Sequence, residues 1–87
     1  MDFSKNVMPN FHFPKDLSFQ DSLLTMTGKR ELLLENYRGI LEYTDTQLLI
    51  LSFHYKIRIT GEKLVIAYYT GEEMKITGRI SSIVYEE

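Results

Sequence analysis

Two histidines and twelve acidic side chains are the residues of this chain whose chemistry suits acid–base catalysis. A catalytic histidine needs an orienting acceptor, and a nucleophile or substrate close by. His12 lies near the amino terminus, and no carboxylate lies within seven residues of His54 on either side. A zinc site needs three or four ligands, and the chain has no cysteine to complete such a set. We therefore expect neither a catalytic histidine nor a metal site.

The acidic residues occur in predicted turns and on polar strand faces, where they favour solubility and protect sheet edges from aggregation. Two acids could still meet in space as a glycosidase-like pair, which the sequence does not exclude. The chain contains no Gly-rich phosphate loop, nucleophile elbow or calcium loop. We therefore expect a protein that is not an enzyme and carries no cofactor.

The segment 53–58 interleaves aromatic and basic side chains, as platforms for single-stranded nucleic acid do. Its positive charge comes only from Lys56 and Arg58. The whole chain has ten basic and twelve acidic residues and a net charge of -2, whereas nucleic-acid binders usually present a basic face. We therefore expect no nucleic-acid partner.

Six tyrosines are a large number for a chain of 87 residues. Tyr68 and Tyr69 are adjacent, so in a strand they point to opposite faces, and if one enters the core the other lies outside. An exposed tyrosine beside aliphatic residues is typical of the core of a protein interface. The alternative is ordinary cross-strand pairing with the hydroxyl in water.

The elements that must position these residues are predicted to be strands. Polar and apolar residues alternate over 56–59, which is the pattern of a half-buried strand. The continuous apolar run at 48–51 is short and has β-rich neighbours, which favours a strand buried on both faces. No window shows a sustained helical pattern with caps, and the best helical candidate, 31–35, runs directly into a turn-like segment.

A repeat of 16 to 17 residues organises the chain from residue 18 onward. An apolar residue, a threonine and a turn former recur four times, at 26–28, 43–45, 59–61 and 76–78. Threonine suits the end of a strand, and Gly or Asp suits the turn that follows. Further turn signals fall mid-unit, at 36–39, 52–55 and 70–71. The pattern predicts successive hairpins with strands of about 5–7 residues.

The predicted fold is therefore all-β, a single small antiparallel β-sandwich, immunoglobulin-like or meander, built from these hairpins. The alternative is a short β-solenoid with one rung per repeat, although a solenoid needs caps and more repeats. The predicted domains are an extended N-terminal arm at 1–17, which holds both prolines, and a β-sandwich at 18–87.

The expected location is cytoplasmic. The absence of cysteine fits a reducing compartment. No signal-peptide pattern is visible, and no stretch approaches the ~20 apolar residues that span a bilayer, so no direct membrane insertion is expected.

A resemblance to a known family covers roughly residues 14–85 and is carried by the segments 14–16, 24–28, 30–40, 57–61 and 74–80. These segments resemble the YabP/YqfC family of sporulation proteins. Glu35-Asn36-Tyr37-Arg38-Gly39 is the most specific part, although family members often have histidine where this chain has Tyr37. Pro14-Lys15-Asp16 makes the YqfC branch the closer match.

The resemblance implies a non-enzymatic protein made in the mother cell of endospore-forming bacteria, acting in spore coat or cortex development at or near the forespore surface. It also implies a protein partner, for which a membrane-bound sporulation protein is a candidate. The family has no motif of catalytic or ligand-binding residues to carry over to this chain.

We expect a structural or adaptor protein that acts by self-association, as a homo-oligomer, or by docking on that partner. The expected interaction surface comprises Asn36, Tyr37, Arg38, Gly39, Tyr68 and Tyr69, together with Phe11 and Phe13 of the arm. The alternative function is a small-ligand or carbohydrate-binding β-sandwich, in which tyrosines stack on a sugar.

Overall fold

Six antiparallel strands make up the fold in the computed structural model, which describes residues 20–87 and contains no helix in that range. The strands are β1 (Leu23–Thr27), β2 (Glu31–Glu35), β3 (Gly39–Tyr43), β4 (Gln47–Leu51), β5 (Lys56–Tyr69) and β6 (Glu73–Glu86). The predicted all-β antiparallel class is confirmed. The predicted arm at 1–17, with Phe11 and Phe13, lies outside the described residues.

All six strands belong to one open sheet in the order β1-β2-β6-β5-β4-β3. Strands β3 to β6 form a meander, and the β1–β2 hairpin joins it because β2 pairs with β6. The meander form of the prediction therefore applies. Every neighbouring pair is antiparallel, which distinguishes this sheet from the stacked parallel rungs of a solenoid.

The two long strands, β5 and β6, divide the sheet into two halves. Their pairing shifts register after Thr60, between Glu62 and Val65, and again after Ile66, so both strands bend without ending. We call β1, β2, residues 65–69 of β5 and the start of β6 the first half. The second half comprises β3, β4, the start of β5 and residues 80–86 of β6.

Part of the hairpin prediction is wrong because of this bend. Thr27-Gly28 and Thr44-Asp45 follow the prediction, since β1 ends at Thr27 and β3 ends next to Thr44. The prediction that the same signal ends a strand at 60–61 and 77–78 is wrong. Both of these pairs lie in the middle of 14-residue strands, because the register shifts absorb the change of direction there. The actual reversal between β5 and β6 occurs at 70–72.

The core lies between the inner faces of the two halves. Eight of its side chains have no exposed surface, and they come equally from the first half (Leu32, Leu34, Met74, Ile76) and the second (Leu48, Ile50, Ile57, Ile59). No helix in the described range covers either face, so each half must cover the other. Full burial of such a side chain contributes about 1.5–3 kcal/mol, which makes this contact the main source of stability. Leu49, on the opposite face of β4, is also buried, as the apolar run predicts.

Four strand segments form open edges of the two halves. They are β1 and 65–69 in the first half, and β3 and 81–86 in the second. All nine large hydrophobic side chains that are exposed in the described range lie on these edges: Leu23, Met26, Leu41, Tyr43, Val65, Tyr68, Tyr69, Val84 and Tyr85. An uncharged apolar edge is a template for pairing with another chain.

Two glycines allow the long strands to approach closely at the bend. A Cβ on Gly78 would lie 2.5 Å from the carbonyl oxygen of Lys63, and a Cβ on Gly61 would overlap the carbonyl oxygen of Arg79. Gly78 also has a φ of +134°, which side chains disfavour. Two hairpin turns bond to this region. Ile80 N–H donates to the carbonyl of Lys29 in the β1–β2 turn at 2.7 Å, and Leu64 N–H donates to the carbonyl of Asp45 in the β3–β4 turn at 2.8 Å.

We predict that Gly78→Ala lowers the free energy of unfolding by about 2 kcal/mol or more, through overlap and backbone strain. The matched control is Gly71→Ala in the β5–β6 turn, where a Cβ meets nothing within 4 Å. The control should change stability by less than about 1 kcal/mol. Urea unfolding followed by circular dichroism measures both, and equal losses would contradict the close approach described here.

Candidate functional site

The structure brings most of the predicted interaction surface together at one end of the first half. The β2–β3 connection at 36–38 lies against the β5–β6 turn. Asn36 N–H donates to the carbonyl of Glu72 at 2.9 Å, and the Tyr37 hydroxyl donates to the carbonyl of Thr70 at 2.6 Å. These two contacts join segments that are more than thirty residues apart in the sequence.

Tyr37 and Tyr69 stack at this end. Their ring centroids are 6.1 Å apart and their planes differ by 16°, which is within the range of favourable offset stacking. Tyr37 is only 4% exposed and belongs to the core cluster, whereas Tyr69 is 51% exposed. Tyr37 therefore supports the ring of Tyr69 from behind, and Tyr69 is the side chain that a partner can contact.

The surroundings of Tyr37 favour its neutral form. Burial raises the pKa of Tyr37 to about 12, with smaller contributions from Tyr69 and Glu73. Its proton is the one that bonds to the carbonyl of Thr70, so the neutral hydroxyl holds the turn in place.

Tyr68 lies on the opposite face of the strand from Tyr69. Tyr69 is registered with buried Met74, and Tyr68 with Lys75. Both tyrosines are exposed, because this part of β5 is an open edge. The Tyr68 hydroxyl donates to Oε2 of Glu73 at 2.7 Å, and this bond to a carboxylate is the main cause that raises the pKa of Tyr68.

Asn36 fixes the geometry of the β2–β3 connection. Its φ of +66° is left-handed, a conformation that asparagine tolerates better than most residues. Its side-chain amide donates to the carbonyl of Asp21 at 2.7 Å. Ser22 Oγ donates to the carbonyl of Asn36 at 2.7 Å and lies 2.6 Å from Oγ of Ser52, which is buried. No local pattern in the sequence points to these serines, because their pairing depends on how the two halves meet.

Arg38 and Gly39 lead away from the tyrosine pair into the second half. The backbone N–H of Arg38 donates to the carbonyl of Leu51 at 2.8 Å, and the Arg38 side chain is exposed. Gly39 begins β3. Of the six described residues predicted for the surface, Tyr69 and Tyr68 are therefore exposed at this end, and Tyr37 and Asn36 hold it together. Arg38 is exposed where the chain enters the second half.

The aromatic and basic segment at 53–58 lies in the second half of the sheet, where the ring of Tyr55 contacts that of Tyr85 edge to face with centroids 5.5 Å apart. Arg58 bonds to both carboxylate oxygens of Glu86, at 2.6 and 3.3 Å, and lies 3.9 Å from Glu42. The hydrogen bond between them raises the pKa of Arg58 and lowers that of Glu86. One of the two positive charges of the segment is therefore already paired with carboxylates. His54 is exposed in the β4–β5 turn.

Residues 20–87 contain no group of three or more His, Cys, Asp or Glu side chains that could hold a metal ion. Within the same range, no helix is long and apolar enough to cross a membrane.

Comparison with known proteins gives two matches. The family model of the YabP family matches residues 19–87. The uncharacterized protein YqfC of Bacillus subtilis (strain 168) is 27% identical over 74 residues, which cover 85% of this chain and 80% of that protein. No solved structure gives a significant match.

We predict that Tyr37→Phe removes a tyrosine ionisation near pH 12 and part of the alkaline loss of stability. The folded-state pKa of Tyr37 is raised above its ordinary value of 10.0. Its contribution to stability is therefore complete below pH 10 and is lost as the pH rises through about 12. Tyrosinate absorbance and urea unfolding at a series of pH values measure the two effects.

The matched control for this titration is Tyr85→Phe, which removes the hydroxyl of a side chain that is 59% exposed. This variant should keep the high-pH transition. If Tyr37→Phe keeps it as well, the buried site is not its source.

Proposed function

The chain belongs to the YabP family, which is associated with sporulation, and from this premise we propose that it is a non-enzymatic structural or adaptor protein of spore formation. It acts in spore coat or cortex development, in the mother cell at or near the forespore surface. It works by associating with itself or by docking on a protein partner, and a membrane-bound sporulation protein is one candidate for that partner.

The open edge at 65–69 is the observation that carries this proposal. Its five residues are uncharged, and three of them are large, apolar and exposed (Val65, Tyr68 and Tyr69). The strand is paired with β6 on one side only, and on its other side the hydroxyl of Tyr43 accepts from the N–H of Ile66 at 3.1 Å, with no strand paired there. An extended segment of a partner adds to such an edge by backbone hydrogen bonds, and side-chain pockets then select the partner.

The stacked tyrosine pair adds an anchor beside this edge. Large aromatic side chains dominate binding energy at interfaces when they are held rigidly in the free protein. Tyr69 is held by the ring of Tyr37, and Tyr37 is held by its bond to Thr70. The anchor is therefore pre-organised, as a docking surface requires.

The placement of the titratable groups supports an adaptor more than an enzyme. His54 is exposed in a turn, and the described range holds no metal-binding group of side chains. The cluster of Arg58 with Glu86 and Glu42 is half-buried to exposed, and its charges are paired with one another. None of these arrangements provides the nucleophile, base and orienting group of a catalytic site.

A carbohydrate-binding module is the second candidate. The observation in its favour is the exposed ring of Tyr69 with a parallel ring behind it, which is the form of a platform for stacking on a sugar face. The uncharged strand edge next to Tyr69 favours a peptide partner over a glycan.

We predict that Tyr69→Asp lowers capture of the binding partner by about tenfold or more, because it places a charge at the centre of the docking edge. The measurement is affinity capture from sporulating cells with tagged chains, with bound proteins identified by mass spectrometry. Circular dichroism verifies that the variant is folded.

Two controls sharpen the test. Tyr69→Phe keeps the ring and should keep the capture, and Val84→Asp places the same charge on the exposed edge of β6 in the second half of the sheet. Equal capture of the partner by the wild type and by Tyr69→Asp would contradict the proposed docking edge. Peptidoglycan binding that Tyr69→Asp loses, with no protein captured by any variant, would favour the carbohydrate-binding module instead.

A further inference from the structure

We propose that this chain assembles head to tail, with the tip of the β5–β6 hairpin of one copy seated in a basic groove of the next copy. This inference rests on the proposed function, and it names the partner of the tyrosine end as a second copy of the same chain. It follows from the shape and charge of two sites at opposite ends of the first half.

The groove lies between β1, with the β1–β2 turn, on one side and residues 78–83 of β6 on the other. It is open, with a volume of about 1120 Å³. Its lining combines apolar side chains (Met26, Ile80, Ile83) with basic ones (Lys29, Arg30, Arg79) and two serines. A site with an apolar floor and a basic rim is suited to an aromatic side chain that is flanked by carboxylates.

The basic side chains of the groove are available for binding. Lys29 and Arg30 are exposed and form no ion pair with any residue of 20–87. Arg79 lies 3.9 Å from Glu62, and both side chains are mostly exposed, so this pair is weak.

Two gaps separate the edges of the halves, one between β3 and β5 and the other between β1 and β6, and we call these gaps seams. A comparison of the two seams indicates what is missing from the groove. At the seam between β3 and β5, the Tyr43 hydroxyl accepts from the N–H of Ile66 at 3.1 Å and so spans the gap. Met26 holds the equivalent position of the repeat at the seam between β1 and β6, and that seam remains open as the groove. An aromatic side chain from outside would complete the second seam as Tyr43 completes the first.

The hairpin tip at 68–73 carries the complementary features. It presents Tyr68 and Tyr69, followed by Glu72 and Glu73. The tip is rigid, because Oγ1 of Thr70 accepts from the N–H groups of Glu72 and Glu73 at 3.1 and 3.0 Å. A rigid tip loses little conformational entropy on binding.

Each of these sites carries charges of one sign. The tip has the adjacent carboxylates of Glu72 and Glu73, and the groove has the cations of Lys29, Arg30 and Arg79. Contact between tip and groove places carboxylates against cations, and this charge complementarity favours a second copy over other occupants.

The two sites cannot meet within one molecule. In the β2–β6 ladder, Glu31 opposite Thr77 adjoins the groove, and Glu35 opposite Glu73 adjoins the tip. These pairs are four residues apart, which is about 13 Å along a strand. The contact therefore joins different copies, and because it is heterologous it extends into open chains or closes into rings.

The decisive experiment uses two variants that each remove one site. The groove variant is Lys29→Gln/Arg30→Gln, and the tip variant is Glu72→Gln/Glu73→Gln. Sedimentation of the wild type should show assemblies that grow with concentration and shrink as salt is raised, because the screening length falls to about 3 Å at 1 M salt. Each variant alone should associate about tenfold more weakly or worse.

An equimolar mixture of the two variants should form a 1:1 complex and nothing larger. The tip variant has an intact groove and the groove variant has an intact tip, so the mixture restores one contact only. Asp45→Asn/Lys56→Gln, which neutralises charges away from both sites, should assemble as the wild type does.

Two results overturn the inference: a wild type that is monomeric at every concentration, or variants that assemble as the wild type does. A mixture that forms no complex would overturn it too. A monomeric wild type whose Tyr69→Asp variant still loses its captured partner would leave the proposed function standing and remove only this inference. Failure of both experiments would remove both.

Discussion

The bend in the two long strands is the constraint on which the rest of the structure depends. A six-stranded sheet with one apolar face must cover that face, and the described range offers no helix to do so. Bending β5 and β6 places the eight fully buried side chains of the two halves against each other. The bend requires the backbones of these strands to approach so closely that a side chain at Gly61 or Gly78 would collide with a carbonyl group. The absence of a side chain at Gly61 and at Gly78 therefore permits the bend that brings the core together.

An internal near-symmetry follows from this bend. The β1–β2 turn bonds to β6 through Lys29 and Ile80, and the β3–β4 turn bonds to β5 through Asp45 and Leu64, at 2.7 and 2.8 Å. Each hairpin thus packs its turn against the bend of one long strand. The 16-to-17-residue repeat of the sequence reflects this arrangement. Two copies of the threonine signal make turns and two make bends, since both need residues that tolerate a change of chain direction.

The sequence predicts those features that depend on local pattern. The apolar run at 48–51 predicts a strand buried on both faces, and β4 is such a strand. The turn signals at 36–39, 52–55 and 70–71 fall at connections between strands, and Gly39 is the first residue of β3. The sequence does not predict the long strands, because a bend and a reversal have the same local signal and only the pairing partner distinguishes them. It does not predict the burial of Tyr37 either, because that burial depends on the β5–β6 turn, far along the chain.

The open edges explain why a domain of this size is suited to association. A small chain buries a modest fraction of its surface, and here the exposed apolar side chains are confined to four edges that carry few charges. Natural proteins usually protect such edges with lysine, proline or a covering segment. In the first half, Glu72 lies in the turn at one end and Lys29 and Arg30 lie in the turn at the other, while Glu31 and Lys75 pair between them at 3.7 Å. Backbone and aromatic contacts supply affinity, while charges fix orientation and exclude wrong partners. An apolar strand edge at one site and a basic groove at the other are therefore the features that the proposed head-to-tail contact requires.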